Sequence, residues 1–259
     1  MMEQTVREIP LVSGSTGAKI APARGGLVTS FSVNDREILF LDRATFDDFT
    51  QNVRGGIPLL FPNAGPLQGP LFPLPRHGFA RNTVWNITEQ NQNSITLQLK
   101  SSENTRTIYP FDFILELNVA VSGNQLTHNM TVTNMGNTPM PTAYGIHPYF
   151  KIPQAEKWLM VANIAGFHAG EIDWTAEFDK SFPNPGLIQV RMPGRNLTIE
   201  NDSALFRFVR IWHLTGKDFI CIEPWTRDNF ALDDHTQSLW IEPQQSANFL
   251  VVIRAGITK

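Results

Sequence analysis

The feature that most constrains the fold is a regular alternation of apolar and polar residues in the middle of the chain. Between Phe113 and Val121 apolar residues occupy every second position, with polar residues such as Glu116 and Asn118 between them. Successive side chains of a β-strand point to opposite faces of a sheet, so this pattern buries one face and leaves the other in water. The alternation resumes at Leu126 after a Ser-Gly-Asn-Gln segment with the composition of a tight turn, which predicts a β-hairpin.

Other segments show strand patterns too, namely Glu37–Leu41, Ser94–Lys100, Leu205–Trp212, Asp218–Glu223 and Asn248–Ala255. The last of these is apolar at both sets of alternating positions, which is typical of a central strand covered on both faces. No long stretch has helical periodicity, and the 18 prolines and 18 glycines are spread between the short strands. The pattern predicts an all-β fold, a single large antiparallel β-sandwich domain over residues 1–259.

Charge and cysteine content exclude several classes of protein. The chain has 21 basic and 24 acidic residues without a basic block, so it lacks the electrostatic footprint of a nucleic-acid-binding protein and of a protein that binds anionic membranes. No apolar run approaches the roughly 18 residues that a membrane-spanning helix needs. The one cysteine, Cys221, excludes an intramolecular disulfide and a thiolate metal cluster. We therefore expect no nucleic-acid partner, no membrane partner and a cytoplasmic location.

Some segments combine glycine and proline with aromatic and titratable residues instead of alternating. Such mixtures are typical of fixed loops that carry polar groups beside apolar surfaces, as in ligand pockets. The segments are Arg-Gly-Gly-Ile-Pro-Leu-Leu-Phe-Pro from Arg54, His-Gly-Phe-Ala-Arg from His77, His-Pro-Tyr-Phe from His147, and Ile-Glu-Pro-Trp from Ile222.

In their order and spacing, these segments resemble the galactose-mutarotase-like superfamily, which comprises the aldose 1-epimerases and their hexose-6-phosphate epimerase relatives. The resemblance implies a β-sandwich whose cleft holds a sugar as small-molecule partner. It implies His147 as general acid and Glu223 as general base, and it places Arg54, His77 and Arg81 in the substrate site. Trp225 is a further candidate for substrate binding, as apolar surface for a sugar ring, and Phe79 and Tyr144 are candidates for the same role.

The implied reaction opens a pyranose ring and closes it on the other face. It needs one proton donor and one proton acceptor, which an imidazole and a carboxylate supply with small pKa shifts. It needs no redox step or covalent intermediate, so no cofactor and no metal is expected. We expect His147 and Glu223 to face each other across a cleft about one pyranose wide.

Several assignments stay open at the level of sequence. Ile-Glu-Pro recurs at Glu242, and only the resemblance favours Glu223. The substrate-binding aspartate of the family matches Asp173, Asp179 or, less well, Asp202. His128 falls on the apolar face of a strand and is expected in or beside the core.

Two other functions are alternatives. The Ala-Arg ending at Arg81 resembles the hexose-6-phosphate branch, where Arg54 and Arg81 would hold a phosphate. A carbohydrate-binding protein without catalytic activity is the main alternative to an isomerase. A metal-dependent β-barrel enzyme is disfavoured because the histidines are well separated, without a His-x-His pair.

Overall fold

The computed structural model describes residues 6–69, 71–234 and 236–258. Within these ranges, antiparallel strands predominate, and they are β1 (Ile9–Ser13), β2 (Thr16–Ala21), β3 (Leu27–Val33), β4 (Arg36–Glu37), β5 (Leu59–Leu60), β6 (Asn86–Gln90), β7 (Ser94–Lys100), β8 (Phe113–Ser122), β9 (Gln125–Asn134), β10 (Met140–Thr142), β11 (Gly145–Ile146), β12 (Tyr149–Lys151), β13 (Val161–Ala162), β14 (Phe178–Pro183), β15 (Leu187–Met192), β16 (Arg195–Asn201), β17 (Phe208–His213), β18 (Phe219–Trp225), β19 (Leu239–Ile241) and β20 (Ser246–Ile257).

The helices of the described residues are all short. They are the α-helices α1 (Arg43–Asp47) and α2 (Glu103–Ile108) and the 3-10 turns Pro22–Arg24, Ala80–Asn82, Gln154–Leu159 and Ala169–Glu171. None of these helices has the length and apolar character needed to cross a membrane.

The strands form two extended sheets and two smaller ones. An eight-stranded sheet has the order β13-β15-β16-β20-β9-β8-β7-β6. A second sheet has the order β14-β17-β18-β11-β5, with β12 also paired to β18. The strands β1 to β4 form a four-stranded sheet, and β10 pairs with β19. The prediction of an all-β antiparallel sandwich is confirmed.

One hydrophobic cluster fills the space between the sheets. It contains Phe31 of the four-stranded sheet, Leu117 and Phe249 of the eight-stranded sheet, and Ile222 of β18. The predicted hairpin is present as β8 and β9, which pair from Phe113↔Asn134 to Ser122↔Gln125. Burial alternates along both strands, as the sequence pattern requires.

Three strand predictions need correction. Of the strand predicted from Glu37 to Leu41, only Glu37 lies in a strand, which is β4 (Arg36–Glu37). Leu39 and Leu41 make isolated bridges instead. The strand predicted from Leu205 begins at Phe208. The last strand is central, between β16 and β9, but it is not covered on both faces, because Leu250 is 44% exposed. Its outer apolar residues lie on a partly solvated face, which antiparallel sheets tolerate.

Candidate active site

Three of the four segments singled out in the sequence, those that contain His77, His147 and Glu223, meet at a cavity of about 140 Å³ beside β18. Along β18 and its neighbour β17, alternate residues such as Ile222 and Val209 enter the main core. Because strand side chains alternate between faces, the intervening residues point to the other side of the sheet. The cavity lies there, and it is lined by Arg76, His77, Arg81, His147, Tyr149, Glu177, Asp179, Arg210, Trp212, Glu223 and Trp225.

Glu223 is fixed by its own strand. Its side chain is 1% exposed, and the indole Nε1–H of Trp225, two residues along the same face, donates a hydrogen bond to Glu223 Oε2 at 3.0 Å. Trp225 is itself fully buried. The hydrogen bond holds one carboxylate oxygen and leaves Oε1 directed at His147.

His147 lies between β11 and β12, where its backbone N–H donates to the carbonyl of Pro58 at 3.0 Å. Its ring stacks on Tyr149 with centroids 4.7 Å apart, and the ring of Trp212 meets it edge-on. His147 Nε2 lies 3.4 Å from Glu223 Oε1. The expectation that the two face each other across a pyranose-wide cleft is therefore wrong, since they lie side by side in direct contact.

Burial sets the protonation of this pair. Burial raises the pKa of the Glu223 carboxyl well above its usual range, with the nearby Asp179 carboxylate adding to the effect. Burial also lowers the pKa of His147, and the neighbouring His77 and Arg81 act in the same direction. Both shifts favour the uncharged forms, a protonated carboxyl at Glu223 and a neutral imidazole at His147. The shifts are larger than the sequence reasoning assumed.

His77 is held as a neutral imidazole with a defined tautomer. Burial, and then the charge of Arg81, lowers its pKa to about 3. Its Nδ1 is hydrogen-bonded to the carbonyl oxygen of Ala64, which only accepts, so Nδ1 carries the proton. Nε2 is left as an acceptor beside His147, whose ring centroid is 5.4 Å away. His77 can therefore accept a hydrogen bond from a hydroxyl group.

The two predicted arginines occupy different places. Arg81 lines the cavity, donates from Nη2 to the carbonyl of Arg76 at 3.2 Å, and has a buried Nε without a partner among the described residues. Arg54 does not line the cavity. It is exposed and lines an adjoining cavity of about 430 Å³, which shares Arg81 and Tyr149 with the first.

Sequence reasoning named Asp179 on β14 as a candidate but missed its partners Arg210, on β17, and Arg76. The guanidinium of Arg210 donates from Nε to Asp179 at 2.5 Å and lies 5.1 Å from the ring centroid of Trp225. Arg76 pairs with the other oxygen of Asp179 at 3.2 Å. Arg210 is the register partner of Glu223, and this pairing between two strands is not visible in the sequence of either strand alone.

The positions of the residues in the structure distinguish most of the alternatives that the sequence left open. Of the three aspartates, Asp179 lines the cavity, whereas Asp173 binds the N–H and hydroxyl of Thr175 in an exposed turn, and Asp202 lines a different cavity. Glu242 is exposed in the turn between β19 and β20, so of the two glutamates only Glu223 reaches the cavity.

The apolar candidates and His128 also have defined places. Phe79 and Tyr144 pack in the main core and do not line the cavity, so their proposed contact with a sugar ring is wrong. His128 is fully buried on β9, which confirms its place in the core. Ligand atoms of His147, Cys221 and Glu223 lie within 4.8 Å of one another, which is close enough for the three residues to hold a metal ion.

Comparison with known proteins identifies the family. The family model for aldose 1-epimerases matches residues 11–258. Protein LacX (plasmid) of Lactococcus lactis is 24% identical over 233 residues, which cover 70% of this chain and 76% of LacX. An Escherichia coli protein named "Putative glucose-6-phosphate 1-epimerase" is 26% identical over 192 residues, which cover 69% of this chain and 61% of that protein.

A solved structure has the same fold along the whole chain. The Slr1438 protein from Synechocystis superimposes with a TM-score of 0.91 at 28% identity, over 100% of this chain and 98% of that one. The resemblance inferred from the loop motifs is confirmed, and the chain belongs to the aldose 1-epimerase family.

Proposed function

We propose that the chain interconverts the α and β anomers of a hexose by acid–base catalysis, with His147 and Glu223 as the catalytic pair, and that the hexose carries a 6-phosphate. The observation that carries the proposal is the 3.4 Å contact between a buried imidazole and a buried carboxyl group on the wall of the cavity. Family membership supports a sugar as the small-molecule substrate.

The adjacency of the pair suits the reaction. One proton leaves the C1 hydroxyl and another is added to the ring oxygen, the C1–O5 bond breaks, and an open-chain aldehyde forms. After rotation about C1–C2, the reverse transfers close the ring. Both oxygens are bonded to C1, so a donor and an acceptor in contact with each other can reach both from one side. Positioned proton transfer of this kind contributes about 10²–10⁴-fold.

The His147–Glu223 pair holds one proton before and after ring opening, and again before and after ring closure. Family resemblance assigns His147 as the acid and Glu223 as the base in ring opening, whereas burial in the ligand-free chain favours the proton on Glu223. Transfer across the 3.4 Å contact interconverts the two states. Since ring closure exchanges the roles, each group acts once as donor and once as acceptor in a turnover.

The remaining polar groups are suited to hold the sugar. His77 Nε2 accepts from a hydroxyl, and Asp179, fixed by Arg210 and Arg76, offers a carboxylate whose side chain is 26% exposed. Trp225 acts by positioning Glu223 through its indole N–H. In these assignments the uncharged imidazole of His77 and the clamped carboxylate of Asp179 hold the sugar beside the catalytic pair.

The phosphate is supported by the arginines of the adjoining cavity. Neither Arg54 nor Arg81 forms an ion pair with a carboxylate of the described residues, although every other arginine of the site does. A guanidinium presents several N–H donors that match a phosphate better than a hydroxyl. Since Arg81 borders both cavities, a sugar in the first could extend its 6-phosphate into the second.

Polarimetry of freshly dissolved α-anomers tests the activity. We expect the chain to accelerate the mutarotation of glucose 6-phosphate, and that of glucose more weakly, over the rate in buffer. His147→Asn should reduce the acceleration by about 10²–10⁴-fold while sugar binding persists. Rates equal to buffer with every sugar, together with measurable sugar binding, would instead favour a non-catalytic carbohydrate-binding protein. A preference for free glucose would overturn the 6-phosphate assignment.

A further inference from the structure

Cys221 lies directly behind the catalytic pair, on the same face of β18 as Glu223. The residues are two apart in the strand, so their side chains point to the same side. Ligand atoms of Cys221, Glu223 and His147 all lie within 4.8 Å of one another, and all three side chains are buried. The proposed acid–base reaction gives Cys221 no role.

We propose that His147, Cys221 and Glu223 form a binding site for Zn²⁺ or a similar thiophilic divalent cation, and that such an ion inhibits the enzyme by occupying its acid–base pair. Metal binding is independent of the proposed function, whereas the inhibition rests on it.

The geometry is close to that of a tetrahedral zinc site. With zinc–ligand bonds of about 2.0–2.3 Å, neighbouring ligand atoms lie about 3.3–3.6 Å apart. His147 Nε2 and Glu223 Oε1 already meet this spacing at 3.4 Å. Cys221 Sγ, at its outer limit of 4.8 Å, would have to approach by about 1.2–1.5 Å to reach this spacing. The cavity then leaves the fourth position open to water.

The charge balance also suits a divalent cation. A thiolate, a carboxylate and a neutral imidazole together carry two negative charges, which a divalent ion neutralises in a buried site. Binding releases two protons, one from the Cys221 thiol and one from the His147–Glu223 pair. Arg76, Arg81 and Arg210 face the pair and oppose the cation, but Asp179 is clamped between Arg76 and Arg210 and offsets part of their charge.

The surroundings of the three ligands indicate that the ion binds reversibly rather than permanently. Metal-binding histidines normally donate their other ring N–H to a fixed acceptor, which strengthens the bond to the metal. His147 Nδ1 is buried without a hydrogen-bond partner among the described residues.

Cadmium provides a direct readout of binding. Cys221 is the only cysteine, so any thiolate-to-cadmium charge-transfer band in the ultraviolet reports on this residue alone. Titration of the full chain with Cd²⁺ should produce that band and saturate at one ion per chain, and Zn²⁺ should compete it away. Cys221→Ala and the bulkier Cys221→Val, which preserves packing against Tyr149 and Phe219, should both abolish it. Absence of a saturable band in the native chain would overturn the site.

Inhibition is measured on the same proteins. Zn²⁺ should slow mutarotation in the native chain, with the effect relieved by a chelator and reduced by saturating substrate. The two Cys221 variants should keep the metal-free rate but need at least about tenfold more Zn²⁺ for half-inhibition. Equal zinc sensitivity of native and variant chains would contradict the role of Cys221. If the chain proves inactive on sugars, the cadmium titration still decides whether the metal site exists.

Discussion

At the scale of single residues, the environment of a side chain decides its chemistry more than its identity does. Glu223 and Glu242 occur in the same Ile-Glu-Pro tripeptide, yet one is 1% exposed against His147 and the other lies in an exposed turn. Local sequence could not distinguish them, because the difference arises from sheet pairing between distant segments. The loop motif around His147, in contrast, pointed to the cavity without any structural information.

The two glutamates provide a matched test of the catalytic pair. Glu223→Gln keeps the shape of the side chain and an acceptor for the Trp225 indole but cannot exchange a proton, so we expect kcat to fall by about 10²–10⁴-fold. Glu242→Gln should leave kcat unchanged. The rates are measured by polarimetry or by exchange of the anomeric proton signals in NMR. Comparable activity of the two variants would remove Glu223 from the mechanism.

His128 predicts a pH dependence of stability that is separate from catalysis. It is fully buried, neither ring nitrogen has a hydrogen-bond partner among the described residues, and burial lowers its pKa from 6.5 to about 4. Between these values the unfolded chain binds a proton that the folded chain does not. His128 therefore costs stability increasingly as the pH falls from 6.5 towards 4.

Replacing His128 should remove this loss of stability at low pH. We expect His128→Leu to have a higher free energy of unfolding than the native chain at pH 5. This gain should be about 2 kcal/mol larger at pH 5 than at pH 8. Urea denaturation at both pH values measures the difference. His168→Leu, at an exposed site, controls for the loss of a histidine. A gain that is the same at both pH values would show that proton binding at His128 is not responsible.

At the scale of elements, period-two patterns located several of the longer strands but did not show what covers their faces. The pattern of Ser94–Lys100 matches β7 residue for residue, and the β8–β9 hairpin forms where the turn composition places it. The apolar outer face of β20 led to the wrong expectation of burial, because an apolar side chain on a sheet can remain partly solvated. Arg210 was missed because its significance depends on its register with Glu223.

Two leucine truncations test this difference between the faces. Leu117 on β8 is fully buried, whereas Leu250 on β20 is 44% exposed. We expect Leu117→Ala to lower the free energy of unfolding by about 2–5 kcal/mol, and Leu250→Ala to lower it by less than about 1 kcal/mol. Denaturant titrations with equal slopes permit the comparison. Similar losses would mean that the outer face of β20 is covered in solution, for example by another protein molecule.

At the scale of the whole molecule, the site depends on sheet topology that links distant segments. The strand order β18-β11-β5 brings the segment before β12, with His147, next to Glu223, and the loop after β5 adds His77. Sequence alone could name these residues through family resemblance, but it could not show that the pair is in contact or that Arg54 lies in a separate cavity. The single domain and the cytoplasmic location remain predictions from sequence.

Because the loops of the site are anchored to the main sheets, ligand binding should stabilise the whole fold. A ligand at 100 times its Kd adds about 2.7 kcal/mol to the free energy of unfolding, which corresponds to a rise in Tm of about 5–10 °C for a chain of this size. We expect glucose 6-phosphate to raise Tm at lower concentrations than glucose does. Calorimetry or a dye-based melting assay measures both ligands under identical salt conditions.

The Arg54→Met variant tests whether Arg54 causes the stronger stabilisation by glucose 6-phosphate than by glucose. If the 6-phosphate occupies the adjoining cavity, this variant should bring the effect of glucose 6-phosphate down towards that of glucose, because it removes a guanidinium without touching the catalytic pair. Arg106→Met provides the control, since Arg106 pairs with Asp112 outside both cavities. A phosphate advantage that survives in Arg54→Met would place the phosphate on Arg81 alone, and no advantage in the native chain would indicate a free hexose.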